Sequence, residues 1–229
     1  MADFVHVDGA DDPRLARFRL NERGLASRSD RRDDAGAGLF LAEGDLVVER
    51  ALEAGCRPAA ALADSERLPP VATEIAAPGA DVYVGGEAVR RLVTKLGLPQ
   101  PLGALFHRPP RPSAQDLIQR SRRLVVVEGV ANPVNVGSIV RNAAALGWDG
   151  LLLDHTSADP LSRRSLRVAM GPADEHPHAR TPDLLGVLHA IVAGGAPLFG
   201  LTRDPASAAS RGLRPTGGRA RLLGAERSG

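Results

Sequence analysis

The sequence predicts a two-domain α/β protein. Short apolar runs alternate with helical spacings in both halves of the 229-residue chain. A hydrophobic fraction of 43% suffices for a real core. A stretch rich in proline and arginine, from Arg108 to Arg123, interrupts the alternation midway. At this length one large or two small domains are expected.

In order along the chain, Phe40 to Gly55 (FLAEGDLVVERALEAG) opens with a short apolar run. Leu46, Val47, Ala51, Leu52 and Ala54 then follow a helical spacing that Gly55 closes. RPAAALAD reads as a strand. DVYVGGEAVRRLVTKLG, from Asp81 to Gly97, gives an alternating strand, a Gly-Gly turn and a helix with Val89, Leu92, Val93 and Leu96 on one face. GALFHRPP returns as a strand and completes a small α/β domain over residues 12–107. Residues 108–121 read as a basic, Pro-rich linker ending in a short helix. From residue 122 to 229 a second domain follows: the strand LVVVEG, a helix from about Val136 to Leu146, the strand GLLLD, a loop, a helix near Leu184 to Ala193, and the strand-like APLFGLTRDP and ARLLGAERSG.

Composition narrows the function. Cys56 is the only cysteine, which excludes an internal disulfide and any zinc site needing two thiolates; it reads as a packing residue. No run of roughly 18 apolar residues and no N-terminal apolar h-region is present, so a membrane span and a secretory signal are not expected and a cytoplasmic location is. All but one of the 29 basic side chains are arginine, Lys95 being the exception, although the net charge is only +2. Arginines crowd the N-terminus, including Arg28, Arg31 and Arg32, and the middle, from Arg108 to Arg123. Guanidinium forks suit phosphate, so RNA is one partner these clusters fit; a solvated, salt-bridged surface is the other reading, since Asp30, Asp33 and Asp34 interleave with the first cluster. Aromatics at 3% argue against recognition by base stacking. Asp174, Glu175, His176 and His178 are metal-like by type, but two histidines flanking Pro177 lack the usual ligand spacing, so they read as a solvated loop and no metal is expected.

NPVNVGSIVRNAAALGWDG, from Asn132 to Gly150, is the most informative stretch. Asn132-Pro133 is a turn signal, so the helix is expected to start no earlier than Val134 with Asn135 as its cap. Val136, Ile139, Val140 and Ala143 form the buried stripe, and Gly147 stops the helix. Gly137 and Arg141 lie four apart on nearly one face, and a bare glycine below an arginine leaves room for a phosphate or ribose beside a helix N-terminus. An ordinary strand–helix unit with a surface arginine is the alternative on spacing alone.

This stretch resembles the first signature motif of the SpoU/TrmH family of RNA 2′-O-ribose methyltransferases, Asn-x-Gly-x-x-x-Arg before a small-residue helix and a glycine; Asn135, Gly137 and Arg141 match in order and spacing. FLAEGDLVVERALEAG is similar to the strand, Glu-Gly step and helix of the family's ribosomal-protein-like substrate-binding domain. RRSLRVAMG, from Arg163 to Gly171, resembles the segment after the second catalytic-domain strand, and LLGAE, from Leu222 to Glu226, the start of the second motif. The resemblance implies a SPOUT-type α/β knot domain behind an RNA-binding domain, S-adenosylmethionine as methyl donor, rRNA or tRNA as substrate, and a homodimer with its site near the subunit boundary. It implies catalytic roles for Asn135, Arg141 and Glu226, cofactor contacts at Thr202 and Gly224, and an RNA contact at Arg141, while the N-terminal arginine cluster offers Arg28, Arg31 and Arg32 as further RNA contacts. Two departures qualify it. No Ser-Leu-Asn-Val-like third motif is found, so the methyltransferase domain reads as truncated, with weakened cofactor binding and dimerisation expected. GPADEHPHAR stands where relatives place an apolar run. An RNA-binding protein without methyl transfer is therefore the rival reading, and a generic dinucleotide-binding α/β protein ranks lower because it lacks G-x-G-x-x-G.

Overall fold

Strand and helix alternate around two five-stranded sheets, each the centre of its own unit. A computed structural model describes residues 4–26, 38–77, 79–94, 98–171, 176–200 and 219–223. One unit comprises residues 1–109 with 161–175, the other residues 110–160 with 176–229.

In the first unit the sheet order is β1-β4-β3-β5-β2, formed by β1 (Phe4–His6), β2 (Leu39–Glu43), β3 (Pro58–Asp64), β4 (Asp81–Gly85) and β5 (Leu102–His107). β1, β4 and β3 run parallel, while β5 runs antiparallel to both β3 and β2. β2 is buried along its whole length, in keeping with the apolar run Leu39–Ala42 before Glu43 ends it. Gly44, at φ +93°, turns it directly into α2 (Asp45–Glu53), a backbone conformation only glycine adopts without strain. Val47, Val48 and Ala51 of α2 are buried, whereas Leu46, expected on the same face, is 42% exposed.

The remaining helices of this unit are α1 (Glu22–Leu25), α3 (Val71–Ala76), α4 (Glu87–Thr94) and α7 (Arg163–Ala169). Val89 and Val93 of α4 are buried as the spacing predicts. A 3-10 helix at Pro13–Arg19 inserts Leu15 and Phe18 into the same core, with Phe18 meeting Tyr83 edge-on at 6.4 Å. Helix α7 comes from the middle of the chain yet packs on β2, burying Leu166 and Ala169. Its Arg163 bonds to Glu22, with Nε 3.0 Å from Oε1. At its end Gly171 lies so close to Arg50 that a Cβ there would meet Arg50 Cγ at 2.6 Å.

The second unit holds an all-parallel sheet in the order β8-β7-β6-β10-β9, from β6 (Arg123–Val127), β7 (Gly150–Asp154), β8 (His178–Thr181), β9 (Leu198–Gly200) and β10 (Arg219–Leu223). Its helices are α5 (Ala114–Arg120), α6 (Pro133–Ala145) and α8 (Leu184–Ala193). Leu124, Val126 and Leu152 point to one face, where they cluster with Leu117 of α5 and Ile191 of α8. The alternate residues, Val125, Val127, Leu151 and Leu153, are also buried and point to the other face, where α6 lies.

One expectation is refined and one corrected here. The segment read as a linker ending in a short helix does carry that helix, and residues 110–120 group with the second unit. Ser113 and Asp116 form a capping box that starts α5, and Leu117 is fully buried. The stretch around His176 is not a solvated loop. His176, just ahead of β8, and His178, its first residue, are both buried, and β8 pairs in register with β7 (His178 beside Leu151). A strand made of His, Ala, Arg and Thr lacks the apolar signal of its neighbours, so pairing rather than pattern makes it a strand. Asp174 and Glu175 lie outside the described residues.

Candidate functional site

In the second unit β6 is the strand at which the chain's path across the sheet reverses: β7 and β8 lie to one side, β10 and β9 to the other. Open parallel sheets bind ligands beyond the carboxyl ends of strands at such a switch point. The loop from β6 into α6 occupies that position, and Leu223, at the end of β10, lies in register with Val127.

Helix α6 starts one turn earlier than its sequence suggested. Asn132 rather than Asn135 is the cap: its Oδ1 accepts the Val134 N–H at 3.0 Å, at φ −82° and ψ 116°. Pro133 occupies the first helical position, where its missing N–H costs nothing and its fixed φ suits the helix. Asn132 escapes the restriction imposed by the following proline because a cap residue is itself non-helical. Asn135 therefore sits within the first turn, half-buried.

Val136, Gly137, Val140 and Ala143 are buried, and Ile139 is half-buried. Gly137 thus lies on the covered side of α6 and not on a bare face as expected. Arg141 is exposed, at the margin of the buried stripe, and among the described residues no hydrogen bond or ion pair engages it.

The loop before α6 is fixed by residues that motif spacing did not single out. Asp154, at the end of β7, accepts from the Gly129 N–H (3.2 Å), the Ser157 N–H (2.9 Å) and the hydroxyls of Ser157 and Thr156. Burial alone would raise the Asp154 pKa, but these hydrogen bonds outweigh it and hold the carboxyl below the usual range. Ser157 Oγ accepts the Val130 N–H at 3.1 Å, and Val130 O accepts the Ala158 N–H at 2.9 Å. Arg180 on β8 donates to three carbonyls of the facing loop: Asp154 (2.6 Å), Ser157 (2.9 Å) and Ala158 (3.2 Å). Only the run Asp-His-Thr-Ser, a side-chain-stabilised turn signature after a strand, hints at this in the sequence.

Of the other expected site residues, Thr202, Gly224, Glu226, Arg28, Arg31 and Arg32 lie outside the described residues. Several neighbouring arginines serve the fold instead. Arg123 donates to Gly147 O, the backbone N–H groups of Arg122 and Arg123 both donate to Asp149 at 2.7 Å, and Arg14 pairs with Asp12 at 2.6 Å. Among the described residues no group of three or more His, Cys, Asp and Glu could hold a metal. A hollow of about 880 Å³ lies between α5 and α8, lined by Ile118, Leu124, Asp183, Val187 and Ile191. It lies on the face of the sheet where Leu124 clusters with Leu117 and Ile191, and neither Asn135 nor Arg141 lines it.

Residues 122–229 match the SpoU rRNA Methylase family. An uncharacterized tRNA/rRNA methyltransferase of Mycobacterium tuberculosis is 37% identical over 203 residues, 87% of this chain and 68% of that protein. The 23S rRNA (guanosine(2553)-2′-O)-methyltransferase RlmP of Bacillus subtilis is 28% identical over 162 residues, 70% of this chain and 61% of the relative. The crystal structure of an AdoMet-bound rRNA methyltransferase from Sinorhizobium meliloti superposes with a TM-score of 0.77 at 24% identity, covering 98% of this chain and 82% of that one, which shows the shared fold. With 37% identity across most of both chains and a family match over the second half, the chain belongs to the SpoU/TrmH family of RNA methyltransferases.

Proposed function

We propose that this protein transfers a methyl group from S-adenosylmethionine to a ribose 2′-hydroxyl of rRNA or tRNA. The observation that carries the reading is Arg141: an exposed guanidinium, unengaged among the described residues, on the helix that leaves the switch point of a parallel sheet. The activity in the name of the Bacillus subtilis relative and the cofactor in the Sinorhizobium meliloti structure support the same chemistry.

S-adenosylmethionine, when bound, supplies an electrophilic methyl. The described part of its proposed site is the crevice beside the ends of β6 and β10, where Val127 and Leu223 lie side by side. This position suits a nucleotide-like ligand, and Thr202 and Gly224 are the proposed contacts. A ribose hydroxyl is a poor nucleophile, so the site must orient it and stabilise the charge it develops. Guanidinium stays protonated at any working pH and cannot act as the base. Arg141 instead holds a substrate phosphate and stabilises the developing alkoxide. Asn135, two helical turns' span from Arg141 at most, orients the ribose or that guanidinium, and Glu226 shapes the pocket.

The N-terminal unit, residues 12–107 by sequence, recognises the RNA, with Arg28, Arg31 and Arg32 as phosphate contacts. The protein acts as a homodimer in the cytoplasm, and among the described residues no helix is long and apolar enough to cross a membrane. The test is transfer of labelled methyl to total RNA from a strain lacking the gene, followed by mass mapping of the modified nucleotide. Label in a 2′-O-methylribose is expected. Label on a base overturns the reading, as does RNA binding with no transfer.

A further inference from the structure

We infer that Asp154, Ser157 and Arg180 form a clamp that sets where α6 begins, and so act as positioning residues for Asn135 and Arg141; the catalytic part of this inference rests on the function proposed above. After β6 ends at Val127, the chain makes four residues of irregular backbone before the Asn132 cap. Backbone polar groups leaving a buried sheet need partners, and none is available from the strand ladder here. Asp154 and Ser157, each 6% exposed, supply them.

Each member of the clamp has a separate task. Ser157 Oγ has one proton, which it donates to the Asp154 carboxylate, leaving its lone pairs for the Val130 N–H. Asp154 Oδ1 takes the Gly129 N–H, and the Ala158 N–H reaches Val130 O. Gly129, at φ +64°, allows the sharp bend that brings both of these amides round to the facing loop. Ala131 N–H closes back on Gly129 O at 2.9 Å, next to the Asn132 cap. The loop before α6 is thus held at both amides and one carbonyl by residues about 25 positions further on.

Those residues are themselves held. Arg180 comes from a third strand and gathers the carbonyls of Asp154, Ser157 and Ala158 on one guanidinium, so the turn bearing Ser157 cannot swing without breaking three bonds. None of the three clamp side chains reaches Arg141 by any bond the structure contains. Their influence runs through the backbone into the first turn of α6, where Asn135 stands, and nearly two turns further to Arg141. Misplacement of such groups by about 1 Å costs on the order of a hundredfold in rate.

The test compares Asp154→Ala, Asp154→Asn and Ser157→Ala in the full chain by two measurements. Hydrogen exchange reads the clamp without requiring activity. The amides of Gly129 and Val130 are expected to exchange at least about tenfold faster in Asp154→Ala, with those in the middle of α6 unchanged. Asp154→Asn, which keeps an acceptor for the Gly129 and Ser157 amides, retains protection. Ser157→Ala removes one hydroxyl from a buried turn and is the milder probe should Asp154→Ala not fold.

Methyl transfer reads the consequence. In Ser157→Ala and Asp154→Ala kcat falls about tenfold or more with KM for RNA nearly unchanged, and Asp154→Asn restores most of it. Unchanged exchange at Gly129 and Val130 overturns the clamp. Normal kcat, or a loss that Asp154→Asn fails to rescue, overturns the positioning role. If the unsubstituted protein transfers no methyl, the functional reading falls by itself, and the exchange measurement still decides the clamp.

Discussion

Arg141 is exposed, so replacing it with Ala should leave the fold intact while removing the charge proposed to hold phosphate. Methyl transfer is expected to fall by about a hundredfold or more, and the urea midpoint should barely move, as for other surface changes of about 0.5 kcal/mol or less. Asn132 should behave in the opposite way, since its side chain caps α6. Asn132→Ala costs about 1 kcal/mol by denaturant titration. His176 supplies a pH test. Burial lowers its pKa, with nearby Asp149 opposing the shift, so the folded protein keeps a neutral imidazole where the unfolded chain takes up a proton. That contribution is whole above the unfolded value of about 6.5 and is lost as pH falls through the lower folded value. Melting temperatures should drop below that pH in the unsubstituted protein and drop less in His176→Asn.

At the scale of elements, what the sequence revealed depended on which force shapes each piece. Strands buried on both faces, such as LFLA, LVVV and GLLL, are apolar runs and are legible in the sequence, as are α4 and α6 from their periodicity. β8 is not, because pairing with β7 makes it a strand although its residues are His, Ala, Arg and Thr. β1 and the 3-10 helix were missed because three and seven residues give too little periodicity. The helix starts earlier than its spacing suggests because proline, which restricts the residue before it, is itself favoured at the first helical position. Of the proposed site residues, Asn135 and Arg141 could be paired from the sequence because one helix carries both. The Asp154, Ser157 and Arg180 clamp could not, since its bonds join loops about 25 residues apart. Helix α5 offers a direct check that it is core and not tether: Leu117→Ala should cost about 2–5 kcal/mol, measured by chemical unfolding.

For the molecule as a whole, the division into units does not follow the order of the chain, which crosses between them after Pro109, after Pro160 and after Glu175. Helix α7 is the reason, and Glu43 on β2 lies beneath it. Burial raises the Glu43 pKa, Arg163 and Arg167 pull it back, and Glu22 adds to the rise. A raised carboxyl gives stability that is whole below its unfolded pKa and is lost as pH rises through the folded one. Glu43→Gln should therefore raise the melting temperature at neutral pH and do so less in acid. Leu166→Ala, although more than a hundred residues from β2 in sequence, should expose the Leu39–Glu43 amides to faster hydrogen exchange, at a cost of about 2–5 kcal/mol.

This borrowed helix constrains how such proteins can be recombined. A chimera that exchanges N-terminal units between relatives by cutting once, after residue 109, separates a sheet from the helix that covers it. Each half then meets a mismatched counterpart at Glu22, Glu43 and Arg50. Grafts that also carry residues 161–175 keep these contacts together, so two loci far apart in the gene must be inherited as a pair.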